Sequence, residues 1–123
     1  MEEKWKSLKK DMEFQILTGV YTAGMRLPSC DRISVERGLA RGTVQRTYRE
    51  MEQKGLILRK SRDGTFVKED AQKLLAKSYY LEAIEGLKKA IVICKACKVD
   101  SKVIESLLSE ALLPSQEDTT KEE

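Results

Sequence analysis

The sequence has no histidine, three cysteines and no long hydrophobic run. Histidine is the commonest general base of enzymes, and no nucleophile–base set, catalytic carboxylate pair or glycine-rich phosphate loop replaces it. We therefore expect a protein that is not an enzyme and holds no cofactor. No apolar run approaches the roughly 20 residues that span a bilayer, and the opening MEEKWKSLKK lacks the apolar segment of a signal peptide. We expect a cytoplasmic protein with no membrane partner.

Three cysteines, an odd number, argue against a disulfide framework in a chain expected to be intracellular. Cys94 and Cys97 form a Cys-x-x-Cys pair, a spacing that zinc and redox sites use. One chain offers too few thiolates for a closed zinc site, although two chains together would offer four. The pair lies inside a predicted helix, where free cysteine packs as a small hydrophobic side chain. We predict ordinary buried cysteines and no metal site.

Positive charge is concentrated in the first half of the chain. The net charge is +3, but residues 1–67 carry 14 lysines and arginines against 9 acidic residues, whereas residues 68–123 carry 9 against 11. All eight arginines lie between Arg26 and Arg62. Arginine is preferred over lysine where planar, bidentate contacts to phosphates or base edges are made. The first half is therefore predicted to bind nucleic acid.

The segment Leu39–Leu58 is predicted to contain an amphipathic helix with two different sides. Val44, Tyr48 and Met51 recur at helical spacing, with Thr47 between them, and should face the core. The opposite arc suits a DNA major groove, where arginine pairs with guanine and glutamine with adenine. The alternative interpretation is a solvated surface helix. The polar arc comprises Arg41, Gly42, Gln45, Arg46 and Arg49.

Two further helices are predicted before this one. The first covers residues 3–18, and the second covers Cys30–Arg37 with Ser29 as its N-cap. A short turn with Gly38 then leads into the amphipathic helix, which gives a helix-turn-helix pattern. The first helix has an apolar stripe of Trp5, Leu8, Met12 and Ile16, with a second buried side at Phe14 and Leu17.

A β-hairpin is predicted after Gly55, which ends the amphipathic helix. Residues 56–60 and 65–67 are β-prone, and the Asp-Gly pair between them is a strong hairpin signal. A hairpin after a recognition helix is a wing, and its Arg59 and Arg62 would lie on the DNA backbone or in the minor groove. The alternative role is closure of the core, and the same hairpin can serve both roles.

Residues 70–113 are predicted to form two amphipathic helices, the second capped by Asp100. The first has a partly heptad-like stripe, and neither helix can bury its apolar face alone. We expect them to pair with a second copy of the chain, with packing onto the N-terminal region as the alternative. Residues 114–123 are polar and predicted to be disordered. The expected dimerisation residues are Leu81, Ile84, Leu87, Ile91, Ile104, Leu107 and Leu108.

A series of short motifs runs through residues 8–67. They are Ile16-Leu17 with Gly19, Gly24, Leu27-Pro28-Ser29, Gly38, Arg41, Thr43-Val44-Gln45-Arg46, Tyr48, Glu52, Gly55-Leu56-Ile57 and Gly64-Thr65-Phe66-Val67. In this order and spacing they resemble the winged helix-turn-helix of GntR-family bacterial transcription regulators, closest to the short YtrA-like branch. The resemblance implies operator binding by a homodimer, with a short helical dimerisation appendage instead of a large effector domain.

The resemblance also implies DNA contacts by Arg41, Thr43 and Gln45, with Gly64 at the wing tip. Thr43 lies nearer the core side, so packing is its alternative role. The residue pattern itself adds Arg46 and Arg49 as base or phosphate contacts.

Four positions depart from the usual family pattern. Ala40 stands where serine or threonine usually caps the recognition helix, a cap worth about 1 kcal/mol. Asp31 stands where the family often has arginine, and Arg32 follows it. Gly42 replaces a frequent polar residue, and Arg37 replaces a usual core leucine.

The sequence therefore predicts a mainly α protein with a winged helix-turn-helix domain at 1–69, of three helices and a two-stranded wing, and a short two-helix dimerisation region at 70–113. We predict a sequence-specific transcription regulator, a repressor that binds a pseudo-palindromic double-stranded operator as a homodimer. The alternative is a winged-helix protein-interaction or adaptor module whose basic face is incidental.

Overall fold

The computed structural model describes residues 3–114. Within that range it contains five helices and one two-stranded antiparallel sheet, so the predicted mainly α fold class is confirmed. The predicted disordered tail lies outside the described residues, except for Pro114. In chain order the elements are α1 (Lys4–Leu17), α2 (Cys30–Arg37), α3 (Arg41–Gln53), β1 (Ile57–Lys60), β2 (Gly64–Val67), α4 (Ala71–Ala96) and α5 (Ser101–Ala111).

Helix α1 contributes one side to the core, as its apolar stripe predicted. Leu8, Met12 and Ile16 are buried in one cluster with residues of α2, α3, both strands and the start of α4. The prediction that Phe14 is buried was wrong, since its side chain is 62% exposed. Leu17, the other residue of the predicted second side, is partly buried against the core. The buried residues of α1 include Glu13 instead of Phe14.

Helices α2 and α3 begin and end where their local sequence directs. The Ser29 hydroxyl accepts a hydrogen bond from the backbone N–H of Arg32 at 3.1 Å, which confirms the predicted N-cap. Gly38 adopts a left-handed conformation with φ of 63°, which ends α2 and turns the chain into α3. Ala40 caps α3 without a side-chain hydrogen bond.

The predicted hairpin is present and pairs Ile57 with Val67 through to Lys60 with Gly64. Its second strand also pairs with the extended segment before α2. The backbone N–H of Leu27 donates to the carbonyl of Thr65 at 2.8 Å. Strand β2 is thus joined on its other edge to the segment before α2. The sequence pattern did not predict this pairing.

Helix α4 begins inside the N-terminal core. Ala71 and Leu75 are buried there, and Gln72 Nε2 lies 3.4 Å from the carbonyl oxygen of Leu17. The first compact unit extends to Tyr80, and a second unit begins at Leu81. The boundary after residue 69 remains a sequence prediction.

The second unit consists of the rest of α4 and all of α5. Asp100 Oδ1 accepts a hydrogen bond from the backbone N–H of Lys102 at 2.8 Å, which confirms the predicted cap. No residue of α5 is buried in the single chain, and in α4 only Ala71 and Leu75 are. Within residues 3–114, no helix is long and apolar enough to cross a membrane.

Candidate nucleic-acid interface

The two predicted sides of α3 are both present. Val44, Thr47, Tyr48 and Met51 are buried, so the core side is confirmed. The Tyr48 hydroxyl donates to the carbonyl of Pro28 at 2.5 Å, and the Thr47 hydroxyl donates to the carbonyl of Trp5 at 3.0 Å. Burial raises the pKa of Tyr48 well above its usual range, so the phenol stays a donor. These bonds fix α3 and leave its other side facing outward.

Arg41 is the first residue of α3 and is exposed. Its Nε lies 3.0 Å from Oδ1 of Asp31, which is in the first turn of α2. The uncapped first turn of α3 also directs backbone N–H groups toward the same end of the helix. Positive charge and free donors therefore meet at the N-terminus of the predicted recognition helix.

Thr43 and Gln45 follow in the first two turns of α3, and both are half-buried. The backbone carbonyl of Gln45 lies 3.4 Å from Nη2 of Arg59 on β1, and Arg59 Nε lies 3.9 Å from Glu52 Oε1. Arg59 was predicted as a wing contact to DNA. The structure places its guanidinium between the wing and α3, where it also holds the two elements together.

The remaining arginines of α3 have different surroundings. The guanidinium of Arg46 lies over the Trp5 ring at 4.3 Å from the centroid, and its Nη1 is 3.7 Å from Oε2 of Glu3. This cation–π contact fixes Arg46 against α1. Arg49 is exposed and has no ion-pair partner within residues 3–114. Arg49 is thus the more available of the two for a phosphate.

The wing tip is formed by the three residues between β1 and β2, among them the exposed Arg62. Gly64 follows with φ of 112°, a conformation that favours glycine. A Cβ at Gly64 would lie 2.7 Å from Nε of Arg26. Sequence reasoning missed Arg26 as a member of this basic surface. The only available signal was its place in the arginine-rich half of the chain.

The cysteines are all free thiols. Burial raises the pKa of Cys30, an effect that nearby Arg59 and Arg41 partly oppose. Cys94 is half-buried and Cys97 is exposed, so the prediction of two buried cysteines inside a helix was wrong. Helix α4 ends at Ala96, and Cys97 lies in the turn that follows it. Within residues 3–114, no three acidic, cysteine or histidine side chains are grouped as a metal site would require.

The predicted dimerisation residues are largely uncovered in the single chain. Leu81 is 73%, Leu87 51% and Leu107 61% exposed, and Ile84 and Leu108 are also exposed. Ile91 and Ile104 are half-buried. The second unit therefore presents apolar side chains that its own two helices do not bury.

Three solved structures have a similar fold. A GntR family transcriptional regulator from Listeria monocytogenes shares 20% identity over 89% of this chain and 95% of its own, with a TM-score of 0.64. A transcriptional regulator from Oenococcus oeni shares 20% identity over 92% and 96%, with a TM-score of 0.62. YtrA from Sulfolobus acidocaldarius, a GntR-family transcription factor, shares 22% identity over 84% and 95%, with a TM-score of 0.52.

Comparison with curated protein sequences finds no match. A family model described as bacterial regulatory proteins, gntR family, matches residues 5–67. The matched segment is more than half of the 123-residue chain and contains nearly all of α1 and every element through β2. The resemblance seen in the sequence motifs is thereby confirmed, and the protein belongs to the GntR family of bacterial regulatory proteins.

Proposed function

We propose that this protein is a sequence-specific transcription regulator that represses by binding a pseudo-palindromic DNA operator as a homodimer in the cytoplasm. The observation that carries the proposal is the two-sided α3. Its core side is anchored by buried residues and hydrogen bonds, while Arg41 and Arg49 are exposed and Gln45 is half-buried on the opposite side. Arginine and glutamine at the N-terminal end of a recognition helix suit direct base contacts in the major groove.

The wing would add contacts to the DNA backbone. Arg62 is exposed in the turn between the strands, and Gly64 lets the chain reverse direction there. Arg59 links β1 to the backbone of Gln45, so the wing and α3 would dock together. Contacts to phosphate set the register on the duplex, whereas contacts to base edges give sequence preference.

The second unit would supply the homodimer contact. Its exposed leucines and isoleucines form the kind of apolar surface that marks an interaction site. In a two-fold dimer the same surface of each chain would face its copy, and the dimer would present two α3 helices to two half-sites. The similar fold of YtrA and the short C-terminal region support placing this protein near the YtrA-like branch.

The test uses the full chain and a pool of random duplexes. We expect retention on heparin with steep salt elution, and enrichment of one inverted repeat after rounds of selection. Sedimentation of the enriched duplex should show two chains bound per duplex. Enrichment of no sequence, with DNA binding that is weak and uniform at physiological salt, would refute the proposal.

A further inference from the structure

The ion pair between Asp31 and Arg41 lies at the N-terminal end of α3, on the proposed DNA-binding face. Its side chains are 70% and 66% exposed, and the Nε–Oδ1 distance is 3.0 Å. Exposed pairs of this kind add little to folding stability, because water screens them. A carboxylate is also unfavourable near DNA phosphates. The first-turn position of Asp31 on α2 favours a carboxylate through the helix dipole. That effect explains an acidic residue in this turn, and the contact with Arg41 is a separate feature of the same side chain.

The atoms used in the pair suggest a different role. The contact joins Oδ1 of Asp31 to Nε of Arg41, and a guanidinium has five N–H donors, more than this contact uses. Two donors of one guanidinium are what guanine O6 and N7 accept in bidentate recognition. Within residues 3–114, Asp31 is the one ion-pair partner of Arg41. The contact with Asp31 therefore restricts the orientation of Arg41, and the guanidinium keeps further donors for a base.

We propose that Asp31 is a positioning residue that sets operator specificity by holding Arg41 for guanine recognition. This inference rests on the proposed function, in which the outward arc of α3 reads bases. Two effects act together. Repulsion from phosphates weakens binding to every duplex alike, because phosphates carry no sequence information. Orientation of Arg41 lowers the ordering cost only where a guanine is correctly placed, so it benefits the operator alone.

The test compares two probes, the duplex enriched by the wild-type chain and a duplex of shuffled sequence. Full-length Asp31→Asn should bind the shuffled duplex more tightly and the enriched duplex no better than wild type. We expect the ratio of the two affinities to fall by about fivefold per half-site, the size expected for ordering one arginine side chain. Equal tightening on both duplexes would overturn the inference, because it would leave only removal of repulsion.

The matched control is Glu36→Gln. Glu36 is also on α2, and its Oε1 accepts from Nε of Arg32 at 2.8 Å, so the change removes the same charge from a similar exposed pair. The hydrogen bond from Arg32 to Glu36 raises the pKa of Arg32, as expected for a paired guanidinium. Glu36→Gln should leave the affinity ratio unchanged. A fall in the ratio equal to that of Asp31→Asn would also overturn the inference.

A double-mutant cycle separates positioning from direct reading of a base by Asp31 itself. In an Arg41→Ala background, Asp31→Asn should have no further effect on the affinity ratio. A persistent effect would assign Asp31 its own base contact and refute positioning through Arg41. Failure of wild type to enrich any duplex would overturn the proposed function and this inference together. An enriched duplex with an unchanged ratio in Asp31→Asn would overturn the inference alone.

Discussion

The hydroxyl of Tyr79 donates a hydrogen bond to the buried carboxyl group of Glu13. Removal of this hydroxyl should destabilise the N-terminal unit. Glu13 on α1 is 1% exposed, and its Oε1 accepts a hydrogen bond from Tyr79 on α4 at 2.7 Å. Its Oε2 lies 3.4 Å from Nζ of Lys54, just after α3. Tyr79→Phe keeps the ring and deletes that donor. Leaving a buried acceptor without its partner costs about 1–3 kcal/mol.

Tyr80→Phe is the matched control, because Tyr80 is adjacent and its side chain is 64% exposed. The assay is urea unfolding followed by far-UV circular dichroism at one fixed chain concentration, since dimerisation would otherwise shift the midpoint. With a urea slope of about 2 kcal/mol per molar, Tyr79→Phe should lower the midpoint by about 1 M. The control should stay near wild type. Equal midpoints for the two variants would refute the assigned role of the Glu13–Tyr79 hydrogen bond.

Three other variants test separate parts of the account. If the proposed homodimer forms, Leu87→Asp should make the full-length chain monomeric in sedimentation velocity, while Lys88→Asp beside it should stay dimeric. A dimeric Leu87→Asp would contradict the proposed interface. Changing both Cys94 and Cys97 to Ala should keep operator affinity within about threefold, with only a modest loss of stability. Stoichiometric zinc in protein purified without added metal would contradict the prediction that the two cysteines bind no metal. Gly64→Ala should weaken DNA binding and lower the free energy of unfolding by about 1–3 kcal/mol, because a φ of 112° strains a residue with a Cβ. An unchanged melting temperature would argue against this backbone strain.

Local signals in the sequence were sufficient to predict the elements of the fold. Ser29 and Asp100 cap their helices by side-chain hydrogen bonds, and Gly38 and Gly55 have the positive φ that helix ends favour. Each signal acts within a few residues of the chain, so its consequence can be derived without knowing the tertiary structure. The period of the apolar residues likewise identified the buried side of α3.

Contacts between distant parts of the chain were not predictable in the same way. The Gln45–Arg59 bond and the approach of Arg26 to Gly64 depend on how the wing packs against the rest of the unit. Glu13 illustrates the same limit, since an acidic residue between two apolar ones is expected to face water. Its burial becomes favourable when Tyr79 and Lys54, both distant in the sequence, are brought alongside.

The most direct test of the central claim, that α3 reads bases while the wing holds the backbone, is a salt series on the enriched and shuffled duplexes. Gln45→Ala should cost about 1–3 kcal/mol per half-site on the enriched duplex and much less on the shuffled one. Arg62→Ala should weaken both alike and flatten the slope of log K against log salt by about 2, near one unit per copy. If Gln45→Ala weakens both duplexes equally while Arg62→Ala changes sequence preference, the wing does the reading and the claim is wrong.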